Sequence, residues 1–176
     1  KTFISEGRWD VITKTLTKGD FVFIQFGHND SSKKKVERYT TPKQYEKNLI
    51  QFIKDTQAAD AHPVLLTPVM RRRFNAEGEF YDTHGVYPDL VRKVANEFKV
   101  PLIDMHSKSE ALIIDAGMEG SKSLFLWLKK GENSNYADGL TDNTHFSPKG
   151  AQKMAELVAD GIREKKLSIR KFLKKP

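Results

Sequence analysis

The sequence predicts an α/β fold built on a parallel sheet. Two observations carry this: three short, nearly continuous apolar runs at residues 21–26, 63–67 and 100–104, and stretches of helical periodicity between and around them. A third is the punctuation, because Gly27 and Pro68 stop the first two runs abruptly. Such runs suit strands buried on both faces, and strands that alternate with helices join by right-handed crossovers into a sheet with helices on both sides.

The elements follow in chain order. Trp9, Ile12 and Leu16 recur at three and four, so residues 7–16 predict one helical face, ended by Lys18-Gly19-Asp20. Phe21-Val22-Phe23-Ile24-Gln25-Phe26 is the first strand, expected to be buried on both faces, and it stops at Gly27-His28-Asn29-Asp30. A polar loop with Lys33-Lys34-Lys35 leads to the helix start Thr41-Pro42, after which Tyr45, Leu49, Phe52 and Ile53 share a face. Residues 63–67 form the second strand. Residues 69–87 are polar and aromatic, too irregular for a core element and long enough to predict a binding loop. Pro88 opens a helix carrying Leu90, Val91, Val94, Ala95 and Phe98; a third strand at 100–104 and a helix from near His106 follow. Residues 128–143, rich in Gly, Asn and Asp, predict a long loop. Ser147-Pro148 then opens a last helix with Ala151, Met154, Leu157, Val158 and Ile162 turned inward.

The 176 residues divide into a domain at 1–164 and a basic C-terminal tail at 165–176. Net charge is +7, but residues 163–176 hold seven basic residues against Glu164, so the body is nearly neutral. With no helix-turn-helix or ribonucleoprotein motif, no nucleic-acid partner is expected. Mean hydropathy is −0.58 and no apolar run approaches a bilayer span, so no membrane partner is expected either. The absence of cysteine excludes a disulfide framework, a thiolate metal site and a cysteine nucleophile. Residue 1 is a lysine with no leader after it, and the start of the gene product is expected to lie upstream.

Ligands of open α/β sheets bind beyond the carboxyl ends of the strands. Residues 27–30, 67–73 and 104–106 are therefore expected to face one crevice, to which a late loop with Asp142 and His145 can return. In Asp142-Asn143-Thr144-His145 an aspartate three residues before a histidine can orient the imidazole through one nitrogen and leave the other as a base. In Gly27-His28-Asn29-Asp30 the Asn29 amide can donate to a developing oxyanion, while Gly27 lets backbone approach closely. Two other readings use the same sequence. His28, Asp30, Asp142 and His145 are acceptable zinc or manganese ligands of a metal-dependent hydrolase, although no H-E-x-x-H accompanies them. Tyr81, Tyr87 and Trp127 with the basic clusters suit a non-catalytic carbohydrate-binding or nucleic-acid-binding module.

The blocks Gly27-His28-Asn29-Asp30 and Asp142-Asn143-Thr144-His145-Phe146 resemble the third and fifth sequence blocks of the SGNH (GDSL-type) hydrolases. Residues 3–9 and 19–26, Thr67-Pro68-Val69 with Arg71-Arg72-Arg73, and Thr83-His84-Gly85 resemble the rhamnogalacturonan acetylesterase group within it. The resemblance implies a three-layer α/β/α, flavodoxin-like fold and a serine esterase that removes acetyl groups from pectin-type plant-wall polysaccharide. It implies no cofactor and no metal, and export to the periplasm or medium. It makes His145 the general base, Asp142 its orienting carboxylate and Asn29 an oxyanion-hole donor, with Gly27, His28 and Asp30 supporting that loop. Arg71, Arg72 and His84 are expected to contact substrate, the arginines through a galacturonate carboxylate. The family's Gly-Asp-Ser block is absent from residues 1–176, and Gly19-Asp20-Phe21 has Phe where Ser would stand. The nucleophile is therefore expected from an N-terminal segment or a second chain, the fold is expected to be incomplete at its N-terminus, and residues 1–176 alone are expected to be inactive; a pseudoenzyme is the alternative.

Overall fold

The computed structural model describes residues 1–174; Lys175 and Pro176, the end of the expected basic tail, lie outside the described residues. The elements are α1 (Thr2–Ser5), α2 (Arg8–Thr13), β1 (Phe21–Gln25), α3 (Pro42–Ala58), β2 (His62–Leu66), α4 (Tyr87–Glu97), β3 (Leu102–Ile103), α5 (Met105–Gly120), β4 (Phe125–Leu128), β5 (Leu140–Phe146) and α6 (Pro148–Glu164). The chain groups into two compact units. The first comprises Lys1–Pro68, His84–Asp104 and the chain from Lys165; the second comprises Val69–Thr83 and Met105–Glu164.

The first unit holds a parallel sheet in the order β1-β2-β3. Its centre is β2, where Val64, Leu65 and Leu66 are buried. The strand β1 is at the edge among the described residues: Ile24 is buried but Phe23 is 37% exposed, which corrects the expectation of burial on both faces. An apolar run reports the character of the side chains; which of them are covered depends on neighbouring elements. Helix α3 starts where Thr41 Oγ1 accepts the Gln44 N–H and Pro42 needs no acceptor, then buries Tyr45, Leu49, Phe52, Ile53 and Thr56. These pack with Trp9, Leu65, Val91 and Val94. Tyr87 belongs to this core rather than to a ligand surface: it is 5% exposed and its hydroxyl donates to the Thr40 carbonyl. The helix expected over residues 7–16 is α2, which starts directly after Gly7 and ends at Thr13; the φ of +71° at Gly7 separates it from the short α1.

The second unit contains a two-stranded antiparallel sheet, β4 with β5; the loop expected over 128–143 is found at 129–139, and its two ends, Leu128 and residues 140–143, are strand. The signal was present in the unbroken apolar run Leu124-Phe125-Leu126-Trp127-Leu128. Helix α6 runs against this unit through Gly150, where an added Cβ would stand 1.8 Å from the Leu124 carbonyl oxygen, so no larger residue fits. Residues 69–83 are irregular, as expected, and are pinned by a bridge between Phe74 and Phe80, whose ring centroids lie 5.4 Å apart. Among the described residues no helix is long and apolar enough to cross a membrane.

Candidate active site

In the second unit the strands β4 and β5 do not pair evenly. Phe125 faces Phe146, Trp127 faces Thr141 and Leu128 faces Leu140. Only Leu126 stands between the first two pairs on β4, while four residues, Asp142 to His145, stand between them on β5; three are extra. The motif singled out in sequence is therefore the bulged part of a strand. Bulges of this kind re-aim side chains. Here Asp142 Oδ1 accepts the N–H of Thr144 at 2.6 Å and of His145 at 3.0 Å, which closes the bulge on itself. Its other oxygen, Oδ2, lies 2.6 Å from His145 Nδ1. Since a carboxylate only accepts, Nδ1 carries a proton, and in the neutral ring the lone pair is on Nε2. The imidazole is 74% exposed. Partial burial pushes the Asp142 carboxyl up, but the bonds from the His145 ring and from the backbone of His145 and Thr144 together outweigh it and hold it below the ordinary value of 3.8.

The residue inside the bulge, Asn143, is held from within the same unit. Its carbonyl accepts the Arg72 N–H at 2.9 Å, and its side-chain oxygen accepts both Arg72 Nη1 and Trp127 Nε1, each at 2.9 Å. Arg72 also donates from Nε to Ser121 Oγ at 3.0 Å and from Nη2 to the Met118 carbonyl. Its guanidinium lies 5.3 Å from the Phe74 centroid and 5.0 Å from that of Trp127. Burial pulls this guanidinium below its ordinary value, and Glu119 acts the other way.

In the first unit, Gly27-His28-Asn29-Asp30 follows β1 as a tight turn. Gly27 has φ +126°, and a Cβ there would sit 3.1 Å from both Pro68 Cγ and the Tyr45 hydroxyl, so glycine is required. Buried Asp30 fixes the turn: Oδ2 accepts the Gly27 N–H at 3.1 Å and Oδ1 accepts the Thr40 hydroxyl at 2.7 Å. The Tyr45 hydroxyl donates to the Phe26 carbonyl at 2.9 Å, and burial, with Asp30 and Tyr87 adding to it, pushes that phenol up, so it stays a neutral donor. His28 Nδ1 meets His84 Nε2 at 3.2 Å. Asn29 is exposed at the tip.

The structure thus brings Asp142 and His145 together in one unit, and Gly27, His28 and Asp30 together with His84 in the other. The expectation that Arg72 and His84 contact substrate is revised, because they are 4% and 1% exposed and face protein partners. Arg71 is half-buried and donates to the Thr83 hydroxyl at 2.8 Å; burial, then the charge of Arg73, pull it below its ordinary value. Of the four residues weighed as metal ligands, Asp30 has both carboxylate oxygens occupied by protein donors, and Asp142 and His145 bond each other. Sequence reasoning missed Asn143 and Trp127 as supports of the motif; the only signal was that Asn143 lies inside it.

The sequence model of the GDSL-like lipase/acylhydrolase family matches residues 2–153. Over 172 residues the chain is 43% identical to the rhamnogalacturonan acetylesterase RhgT of Bacillus subtilis, covering 98% of this chain and 73% of that protein. It is 39% identical over 165 residues to the probable rhamnogalacturonan acetylesterase YesY of the same organism, covering 93% and 71%. Among solved structures, YxiM of Bacillus subtilis superposes with a TM-score of 0.76 at 22% identity, over 95% of this chain and 43% of that one. A catalytic mutant of Axe2, an acetylxylan esterase from Geobacillus stearothermophilus, gives 0.63 at 19% identity, over 91% and 65%. The chain therefore spans about seven tenths of the first two curated relatives, and less than two thirds of these two structures.

Proposed function

The chain belongs to the GDSL-like lipase/acylhydrolase family, and on that premise we propose that it is part of a serine carbohydrate esterase that removes O-acetyl groups from rhamnogalacturonan-type pectin. The observation that carries this is the dyad: an exposed imidazole whose Nδ1 is fixed on a carboxylate at 2.6 Å and whose Nε2 is left free as a base. The nucleophilic serine is assigned to a segment outside residues 1–176, upstream or in another chain; among the described residues β1 is an edge strand, with which a further strand can pair.

The serine oxygen attacks the acetyl carbonyl as His145 Nε2 takes its proton. The resulting imidazolium is stabilised by Asp142, and the Asn29 amide donates to the tetrahedral oxyanion. Collapse expels the sugar oxygen, which receives the proton from His145 and leaves an acetyl-serine. Water, deprotonated by the same nitrogen, then attacks the acetyl carbon, and the bond to the serine oxygen breaks as that oxygen takes the proton back from His145 and acetate leaves. Arg71 and Arg73 supply positive charge for a galacturonate carboxylate, in keeping with the substrate in the names of the two curated relatives. As a pectin-directed enzyme it is assigned to the periplasm or the medium.

The test uses the complete gene product on acetylated rhamnogalacturonan and acetylated xylan. Acetate release is expected to favour the acidic polymer, and His145→Ala to lower kcat by about three to six orders of magnitude. A variant within a few-fold of the parent removes His145 from the reaction; equal rates on the neutral polymer remove the pectin assignment.

A further inference from the structure

We propose that Arg72 is a positioning residue for the His145–Asp142 dyad: it replaces, for the bulge of β5, the strand partner that the bulge has lost. This rests on the reading of the dyad as catalytic machinery, and the test below separates the two.

A bulge frees backbone groups from the ladder, and three extra residues free several. A buried carbonyl or N–H left without a partner costs enough that the segment would slide back into register or collapse elsewhere. In this unit the carbonyl of Asn143, inside the bulge, accepts the Arg72 N–H at 2.9 Å, so residue 72 supplies it with a backbone donor from outside β4. The side chain repeats the contact. Arg72 Nη1 and Trp127 Nε1 both donate to Asn143 Oδ1, which fixes the rotamer of the residue between Asp142 and the Thr144 and His145 N–H groups that Asp142 binds.

The guanidinium is itself over-determined. Ser121 Oγ and the Met118 carbonyl accept from its Nε and Nη2, and the rings of Phe74 and Trp127 lie within about cation–π range of it, at 5.3 and 5.0 Å. A lysine has neither the fork nor the planar face to make this set. Arg72 is 4% exposed and therefore meets no polysaccharide; its influence on the reaction runs through Asn143. A shift of about 1 Å at a catalytic group can cost on the order of 10²-fold in rate, which sets the scale of the effect.

The experiment uses the complete gene product labelled with ¹⁵N-histidine, and compares the parent with Arg72→Met, Arg72→Lys and Trp127→Phe. Two readouts are taken: the low-field proton and ¹⁵N shifts of His145 Nδ1, which report its bond to Asp142 without any turnover, and kcat and KM for acetyl-ester hydrolysis. Arg72→Met is expected to lose the low-field signal and lower kcat by about 10- to 100-fold, with KM within about threefold. Arg72→Lys is expected to recover little of either. Trp127→Phe, which removes one donor to Asn143 and opens little space, is expected to broaden the signal and lower kcat a few-fold; it decides the matter if Arg72→Met does not fold.

An unchanged His145 signal and kcat in a folded Arg72→Met overturns the proposal, as does an effect confined to KM, which would make Arg72 a substrate contact. A parent that hydrolyses no acetyl ester overturns the functional reading instead, and leaves the His145 signal to judge Arg72.

Discussion

Residues 27–30 in the first unit and 142–145 in the second are both four-residue motifs turned by an aspartate that bonds backbone N–H groups. Asp30 closes its motif from the end, reaching back to Gly27, and its other oxygen goes to the Thr40 hydroxyl. Asp142 closes its motif from the start, reaching forward to Thr144 and His145, and its other oxygen goes to an imidazole. Burial separates them further: Asp30 is 6% exposed, while the Asp142 pair lies at the surface with His145 74% exposed. The same residue type thus serves shape in one motif and proton transfer in the other. What distinguishes them is the partner of the second oxygen, a hydroxyl that only donates to it or an imidazole whose far nitrogen can act as a base.

The largest effect expected from this contrast comes from making one substitution at both aspartates of the complete gene product. Asp142→Ala removes the acceptor that fixes the His145 tautomer, and is expected to lower kcat by about 10⁴-fold with little change in Tm. Asp30→Ala leaves the Gly27 N–H and Thr40 hydroxyl without their acceptor, and is expected to cost roughly 1–3 kcal/mol in urea unfolding. If Asp30→Ala cost as much rate as Asp142→Ala while remaining equally stable, the division between shape and chemistry would fail.

The next effect concerns the tip of the first motif. Asn29 is exposed while Gly27 and Asp30 are buried around it, so it presents a donor from a rigid turn. Asn29→Ala is expected to lower kcat by about 10²–10³ with a smaller change in KM, because an oxyanion donor bonds most strongly in the transition state. A change confined to KM would make Asn29 a substrate anchor, and the first motif would then have no part in the chemical step.

How far these motifs could be read in advance follows from the same contrast. Helix α3 and strand β2 were legible because their burial repeats at a fixed period: Tyr45, Leu49, Phe52 and Ile53 along one face, Val64, Leu65 and Leu66 in one run. The sequence motifs for both turns were legible too, since Gly, Asn and Asp mark turns by local chemistry. Strand β5 was not, because a bulge of Asp, Asn and Thr locally has the composition of a loop, and pairing with β4 is a long-range fact. Nor was the part played by Arg72. Within Arg71-Arg72-Arg73 the three like charges read as a basic run facing substrate, and the partner that buries the middle one, Asn143, stands 71 residues away.

The smallest effect expected is in the acid range, and it tests whether the second motif adds to stability at all. The Asp142 carboxyl is held below 3.8 in the folded protein. A depressed folded value means that the folded state prefers the ionised form, so the contribution is fully present above the unfolded value and is lost as pH falls through the folded one. Urea midpoints of the parent and of Asp142→Asn should therefore differ by a constant amount just above the ordinary carboxylate range, and converge as pH drops below 3.8. Because the pair is solvent-screened, the gap should be modest and should shrink in high salt. A gap that persisted undiminished to pH 2 would mean that the carboxylate form is not what closes the bulge. The Thr144 and His145 N–H groups would then be held equally well by a neutral oxygen, and Asp142 would matter to this motif only through the imidazole.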